Sequence, residues 1–232
     1  MKLGLVAEVK WEVREVCRRL RLRLLDAENQ VWGADQDAHE IRLCLSGIVP
    51  DMAKERVERF LNSEKPDMML CCGLAGALRP DIQVGDLVVQ SADPSLEEQA
   101  GLALRARGIP YHVGPLVTVS APVLAPAARR ELAAKSGAIA VDMESQTIAA
   151  LCRERGIPCM AMKGVSDGYE DDLTPILGGV DVIHIRRIAL SVLGLPWTWP
   201  LAARLARHSF IAANRLGHGV WALLERLCGP AE

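Results

Sequence analysis

Residues 138–167 read AIAVDMESQTIAALCRERGIPCMAMKGVSD. Residues 138–142 form a short apolar run closing on an acid, 144–155 have helical spacing, and 158–163 are a second apolar run behind Gly156. Runs that are apolar at nearly every position, rather than at alternate ones, belong to strands covered on both faces. Two of them separated by one helix make a β-α-β unit. The same alternation runs outward in both directions. Strands are expected over 2–7, 39–46, 67–72, 86–90 and 116–119, and helices over 12–25, 51–63, 95–107, 126–136 and 182–193. The expected fold is therefore α/β, a single domain with a mixed central sheet flanked by helices.

The chain closes differently. Residues 195–227 are amphipathic, with Arg204, Arg207, His208, Arg215, His218 and Arg226 on one side of a helical wheel and Leu201, Leu205, Ala212, Leu216, Val220 and Leu227 on the other. Gly217 and Gly219 weaken the expectation of one unbroken helix, and Pro196 and Pro200 mark a break before it. The expected division is an α/β domain over 1–194 and a basic helical extension over 195–232. Residues 183–232 carry six Arg against two Glu, so a chain of net charge -2 carries -6 in residues 1–182.

Composition narrows the class. Of 232 residues, 50% are hydrophobic and 24% charged, enough for a sizeable core and unlike a disordered chain. The near-neutral balance argues against a nucleic-acid binder. Seven cysteines without paired spacing argue against a disulfide framework or a zinc ribbon, and no metal ligand set is expected. The opening MKLGLVAEVKWEV turns charged too early for a signal peptide, and no apolar run is long enough to span a membrane, so a cytoplasmic location is expected.

Three acids stand where strands end: Glu12, Glu144 and Asp167. Ligands of open α/β sheets gather at the carboxyl ends of strands, so the three can meet in one crevice. Each alone reads more readily as an N-cap or a solvated helix start; the case rests on their combination. Residues 72–77, CGLAGA, follow a strand and could bring backbone close to a ligand, although a plain tight turn fits as well.

These stretches resemble the nucleoside phosphorylase superfamily, and in their core motifs its 5'-methylthioadenosine/S-adenosylhomocysteine nucleosidases. The resemblance is carried by residues 1–13, 72–89 (CGLAGALRPDIQVGDLVV), 138–152 with VDMES, and 158–167 with VSD. It implies that Glu12 helps to activate an attacking water and that Asp167 protonates a purine at N7. It further implies that Glu144 binds the ribose hydroxyls, that Met143 packs on the ribose, and that Ala75, Gly76, Val123 and Ser166 complete the substrate site.

The chain departs from the family in places. Leu74 stands where the phosphorylases usually have a serine, and no Arg precedes the loop, which leaves Arg42 or Arg79 to supply charge for a phosphate. The purine-stacking aromatic is replaced by Ser120-Ala121-Pro122-Val123. The Arg-rich tail, with Trp197 and Trp199 before it, is similar to that of the hopanoid-associated phosphorylases. That similarity implies removal of adenine from adenosylhopane and peripheral membrane contact through the tail. No cofactor is implied, beyond inorganic phosphate as co-substrate if the reaction is phosphorolytic. The family implies a homo-oligomer. The alternatives are a thio-nucleoside nucleosidase, a non-catalytic nucleoside-binding protein, and a membrane scaffold using only the tail; for the tail itself the alternative is a helix packed on its own domain.

Overall fold

The computed structural model describes residues 1–36, 39–47, 50–178 and 196–229. In chain order the strands are β1 (Lys2–Ala7), β2 (Arg23–Asp26), β3 (Val31–Gln36), β4 (His39–Leu45), β5 (Met68–Ala77), β6 (Leu87–Ser91), β7 (Tyr111–Val113), β8 (Leu116–Thr118), β9 (Ala140–Asp142) and β10 (Cys159–Asp167). The helices are α1 (Arg14–Arg19), α2 (Pro50–Glu64), α3 (Pro94–Ala106), α4 (Pro126–Ser136), α5 (Ser145–Glu154), α6 (Thr174–Leu177) and α7 (Trp199–Cys228).

The sheet is mixed, as expected. Its order is β2-β3-β4-β1-β5-β10-β6-β7, with β9 pairing the far end of β5 and β8 pairing β9. The central pairs β4/β1, β1/β5 and β5/β10 are parallel, while β10/β6 and the β2-β3-β4 meander are antiparallel. Strands β1, β5 and β10 are buried along nearly their whole length, because helices cover both faces. One core cluster holds Leu5, Leu70 and Met162; Val6, Cys71 and Ala161 belong to the other.

Three expectations are corrected. The helix over 12–25 is only Arg14–Arg19: Arg21 takes φ 50, the Leu22 N–H returns to the Cys17 carbonyl, and the alternating residues beyond become β2 against β3. Arg-Leu-Arg-Leu has period two as well as a helical reading, and pairing with β3 decides it. The stretch CGLAGA is not a loop, because β5 continues through it to Ala77. The tail glycines do not break α7, which is continuous from Trp199 to Cys228. A Cβ at Gly217 would lie 2.6 Å from Glu15 Cβ, and one at Gly219 would lie 2.4 Å from Leu87 Cδ1. The two glycines bring the helix down onto α1 and the sheet.

The expected helix over 182–193 and the boundary at 194/195 lie outside the described residues. Beyond them, α7 has two characters. Ala212, Leu216, Val220, Leu223 and Leu224 are buried, and the last four join the main core cluster. Toward its start, Trp199 and Phe210 are 52% and 55% exposed.

Candidate active site

A cavity of about 260 Å³ opens beyond the carboxyl ends of β1, β5 and β10. Its lining includes Glu8, Glu12, Ala75, Gly76, Val123, Asp142, Met143, Ser166 and Asp167, closed on one side by Leu173, Leu177, Leu205 and Ser209. A second cavity of about 200 Å³ adjoins it, lined by Glu8, Ser46, Lys54, Met143 and Glu144 among others. Of the eight catalytic and substrate-site residues that the resemblance implies, all but Glu144 line the larger cavity. Glu144 faces the smaller one, and Glu8 and Met143 border both.

Glu12 sits in the turn that links β1 to α1, 4% exposed, and accepts a hydrogen bond from the Val9 N–H at 3.2 Å. Burial, then the charges of Glu8 and Glu144, raise its pKa to about 8. Glu8, which directly follows β1, is raised to about 7 by burial and by Glu144. Sequence reading did not single out Glu8. Its signal was position alone: a second acid at the same strand end, half a turn of loop ahead of Glu12.

Glu144 occupies the residue before α5, yet its side chain makes no capping bond. It is held instead by Lys163, whose Nζ lies 2.6 Å from Glu144 Oε1 and 3.2 Å from Asp142 Oδ2. Lys163 is fully buried in β10. Burial opposes its charge, but the surrounding Cys71, Glu144 and Asp142 outweigh that and push its pKa well up. Burial likewise raises Glu144, against the pull of Lys163. Burial also works against ionised Asp142, but Lys163, Ser145 and Thr118 hold it low. Gly73 makes room for this cluster, since a Cβ there would lie 2.9 Å from Lys163 Nζ and 3.0 Å from Glu144 Oε1. Lys163 was legible as the one charge inside an otherwise apolar strand, a position that requires an acidic partner.

Asp167 ends β10, just past a register shift against β5. The Ser166 hydroxyl donates to its Oδ1 at 2.6 Å, and Arg129 Nη1 lies 2.6 Å from its Oδ2. Gly76 admits this pair: a Cβ there would sit 2.6 Å from Asp167 Oδ2 and 2.7 Å from Arg129 Nη1. Neither arginine expected to offer charge to a phosphate reaches the cavity. Arg42 is paired with Asp35, Glu40 and Glu64, and Arg79 with Asp81 on the surface. The described lining of the larger cavity contains four acids and no lysine or arginine.

Known proteins share this arrangement of elements. Over 98% of this chain and 97% of theirs, the coordinates superpose on S-adenosylhomocysteine nucleosidase from Streptococcus pyogenes with a TM-score of 0.78 at 17% identity. The chain shares that nucleosidase's fold. The phosphorylase superfamily model itself matches residues 90–177, the stretch from the end of β6 to the end of α6. Futalosine hydrolase from Helicobacter pylori superposes with a TM-score of 0.72 at 16% identity, over 95% of this chain and 98% of its own. In sequence, the chain is 23% identical to 5'-methylthioadenosine/S-adenosylhomocysteine nucleosidase of Buchnera aphidicola, over 75% of this chain and 87% of the relative. It is 24% identical to guanosine phosphorylase of Halorubrum lacusprofundi, over 62% of this chain and 68% of the relative. The proteins to which the chain is similar bear the names of nucleosidases, a futalosine hydrolase and a guanosine phosphorylase, all of them enzymes.

Proposed function

We propose that this chain cleaves the N-glycosidic bond of a 5'-substituted adenosine with water, releasing adenine. One observation carries the reading: a single cavity bears Glu12 and Asp167 in its wall, and its described lining has no lysine or arginine to hold a phosphate. In the proposed reaction a protonated Asp167 gives its proton to purine N7. The C1'–N9 bonding pair then leaves with the base, and a cation-like ribosyl group remains. Glu12 takes the proton of the water that adds to C1'. Its pKa of about 8 keeps it a strong enough base for the task. Glu144, gripped by Lys163, binds the ribose hydroxyls and gains in strength as positive charge develops. Met143, between the two cavities, packs on the sugar. A phosphate dianion entering this lining would add to the repulsion that already raises Glu8 and Glu12.

The 5' substituent in this reading is apolar, and adenosylhopane is the substrate that fits the sequence resemblance. Leu173, Leu177 and Leu205 line one side of the cavity, and Trp11, Trp197, Trp199 and Phe210 are exposed on the nearby surface of the loop before α1 and the start of α7. With Arg204 and Arg207 they would let the protein rest on anionic lipid. Among the described residues no helix is long and apolar enough to cross a membrane. A second reading, a nucleosidase for methylthioadenosine or S-adenosylhomocysteine, is supported by the likeness to nucleosidases that bear those names. The homo-oligomer implied by the resemblance is checked by light scattering.

The test is adenine release from adenosine, methylthioadenosine and vesicle-borne adenosylhopane, each with and without phosphate. Free sugar at a rate indifferent to phosphate is expected, with adenosylhopane fastest. A sugar phosphate product would overturn the choice of water, and preference for methylthioadenosine would favour the second reading.

A further inference from the structure

Arg129 is the one buried residue of α4, and it heads the largest fully buried side chains of the described structure at 1% exposure. Its neighbour Arg130 behaves ordinarily, half exposed and paired with Glu170 on the surface. Arg129 instead points beneath the larger cavity. Its Nη1 lies 2.6 Å from Asp167 Oδ2, yet neither Nη1 nor Nε finds an aligned hydrogen-bond acceptor among the described residues. The contact is one of charge, not of shape. A guanidinium removed from water with two of its three nitrogens lacking an aligned acceptor is costly, and a fold that needed only packing there would be better served by a hydrocarbon side chain. Leu132 and Ala133, one turn on, already join an apolar cluster with Leu78, Ala138 and Val141.

We infer that Arg129 is a positioning residue for the glycosidic cleavage: it holds Asp167 beneath the purine and stabilises the carboxylate that Asp167 becomes on giving up its proton. The inference rests on the proposed role of Asp167 as acid. In the step concerned, the O–H bond of Asp167 breaks and an N7–H bond forms. The C1'–N9 bond breaks with its electron pair passing to the purine, and water supplies the new C1'–O bond while its proton goes to Glu12. Negative charge therefore appears on Asp167 as the barrier is crossed. A fixed cation 2.6 Å away, in a site sheltered from water, favours that charge without having to reorganise. Ser166 secures the other carboxylate oxygen, so the carboxyl group cannot turn away. Gly76 gives both side chains the space to meet.

The experiment is a double-mutant cycle on kcat and KM for an adenine nucleoside, with Arg129→Met, Arg129→Lys and Asp167→Asn. Arg129→Met should lower kcat by about 10- to 100-fold with KM changed by less than about threefold, the pattern of an interaction realised mainly in the transition state. Arg129→Lys should recover part of the loss, because it restores the charge without the reach. In the Asp167→Asn background, Arg129→Met should cost less than about threefold, since the group it acts through is gone. Equal losses in the two backgrounds, or unchanged kcat in Arg129→Met, would overturn the inference. If Arg129→Met does not fold, Arg129→Lys in both backgrounds decides by the same comparison. Full activity in Asp167→Asn alone would instead refute the acid role, a distinct outcome.

Discussion

The two ends of the cavity solve opposite problems. Around Glu12 and Glu144, four acids (Glu8, Glu12, Asp142 and Glu144) crowd one buried lysine, and Glu8 and Glu12 are pushed up to about 7 and 8. At Asp167 a single acid meets a single buried arginine, one for one. Excess acid at one end yields groups able to take a proton near neutral pH. Matched charge at the other holds one carboxyl group in a fixed place. The difference shows how one sheet edge can host base and acid a short distance apart: the chemistry of each carboxyl is set by its neighbours, not by its type.

That division can be broken first at its matched end. Asp167→Asn should bind nucleoside yet lose about 10²-fold or more in kcat, measured by adenine release, because an amide cannot pass a proton to N7. At the crowded end, Glu12→Gln should lose about 10²-fold with Asp167 untouched. In the wild type, ionisation of Glu12 should make kcat/KM climb with pH toward about 8, and the variant should lack that rising limb. Glu144→Gln should lower kcat by roughly tenfold while KM moves little. A rise in KM alone would make Glu144 a uniform binding contact.

The smallest effect is on stability. Glu8 and Glu12 have folded pKa values raised above the ordinary 4.5, so each holds a proton in the folded chain that the unfolded chain has already released. Their stabilising contribution is complete below about pH 4.5. It falls as pH rises, until about 7 for Glu8 and about 8 for Glu12. Between pH 5 and 7 the unfolding free energy should drop by up to about 1.4 kcal/mol per pH unit for each group. Urea titrations of Glu12→Gln across that range should show a slope shallower by one proton. An unchanged slope would mean that Glu12 does not hold its proton in the folded chain.

Much of this was legible in the sequence. The unbroken apolar run of β1 and the β-α-β unit over residues 138–167 announce themselves, because strands covered on both faces need no polar alternation. Glu12 and Asp167 could be assigned to one crevice because parallel strands deliver their ends to one edge. The meander β2-β3 was not readable: its strands are short and lie toward the sheet's edge, and α1 runs into β2 through residues compatible with either period. Arg129 was equally hidden. Arg129 and Arg130 are adjacent on a helix with little apolar bias, and only the tertiary packing of α4, with Leu132 and Ala133 against Val141 and Arg129 against Asp167, decides which one turns inward. The glycines of α7 and β5 misled in the same way, since they read as weak points where the fold uses them for contact.

The central claim is that water, not phosphate, completes the cleavage in an acid-lined cavity. It is tested most directly by a single turnover of an adenine nucleoside in ¹⁸O-labelled water containing unlabelled phosphate. The account predicts one labelled oxygen at the anomeric carbon of a free sugar, with adenine released in equal amount. An unlabelled sugar 1-phosphate would contradict it.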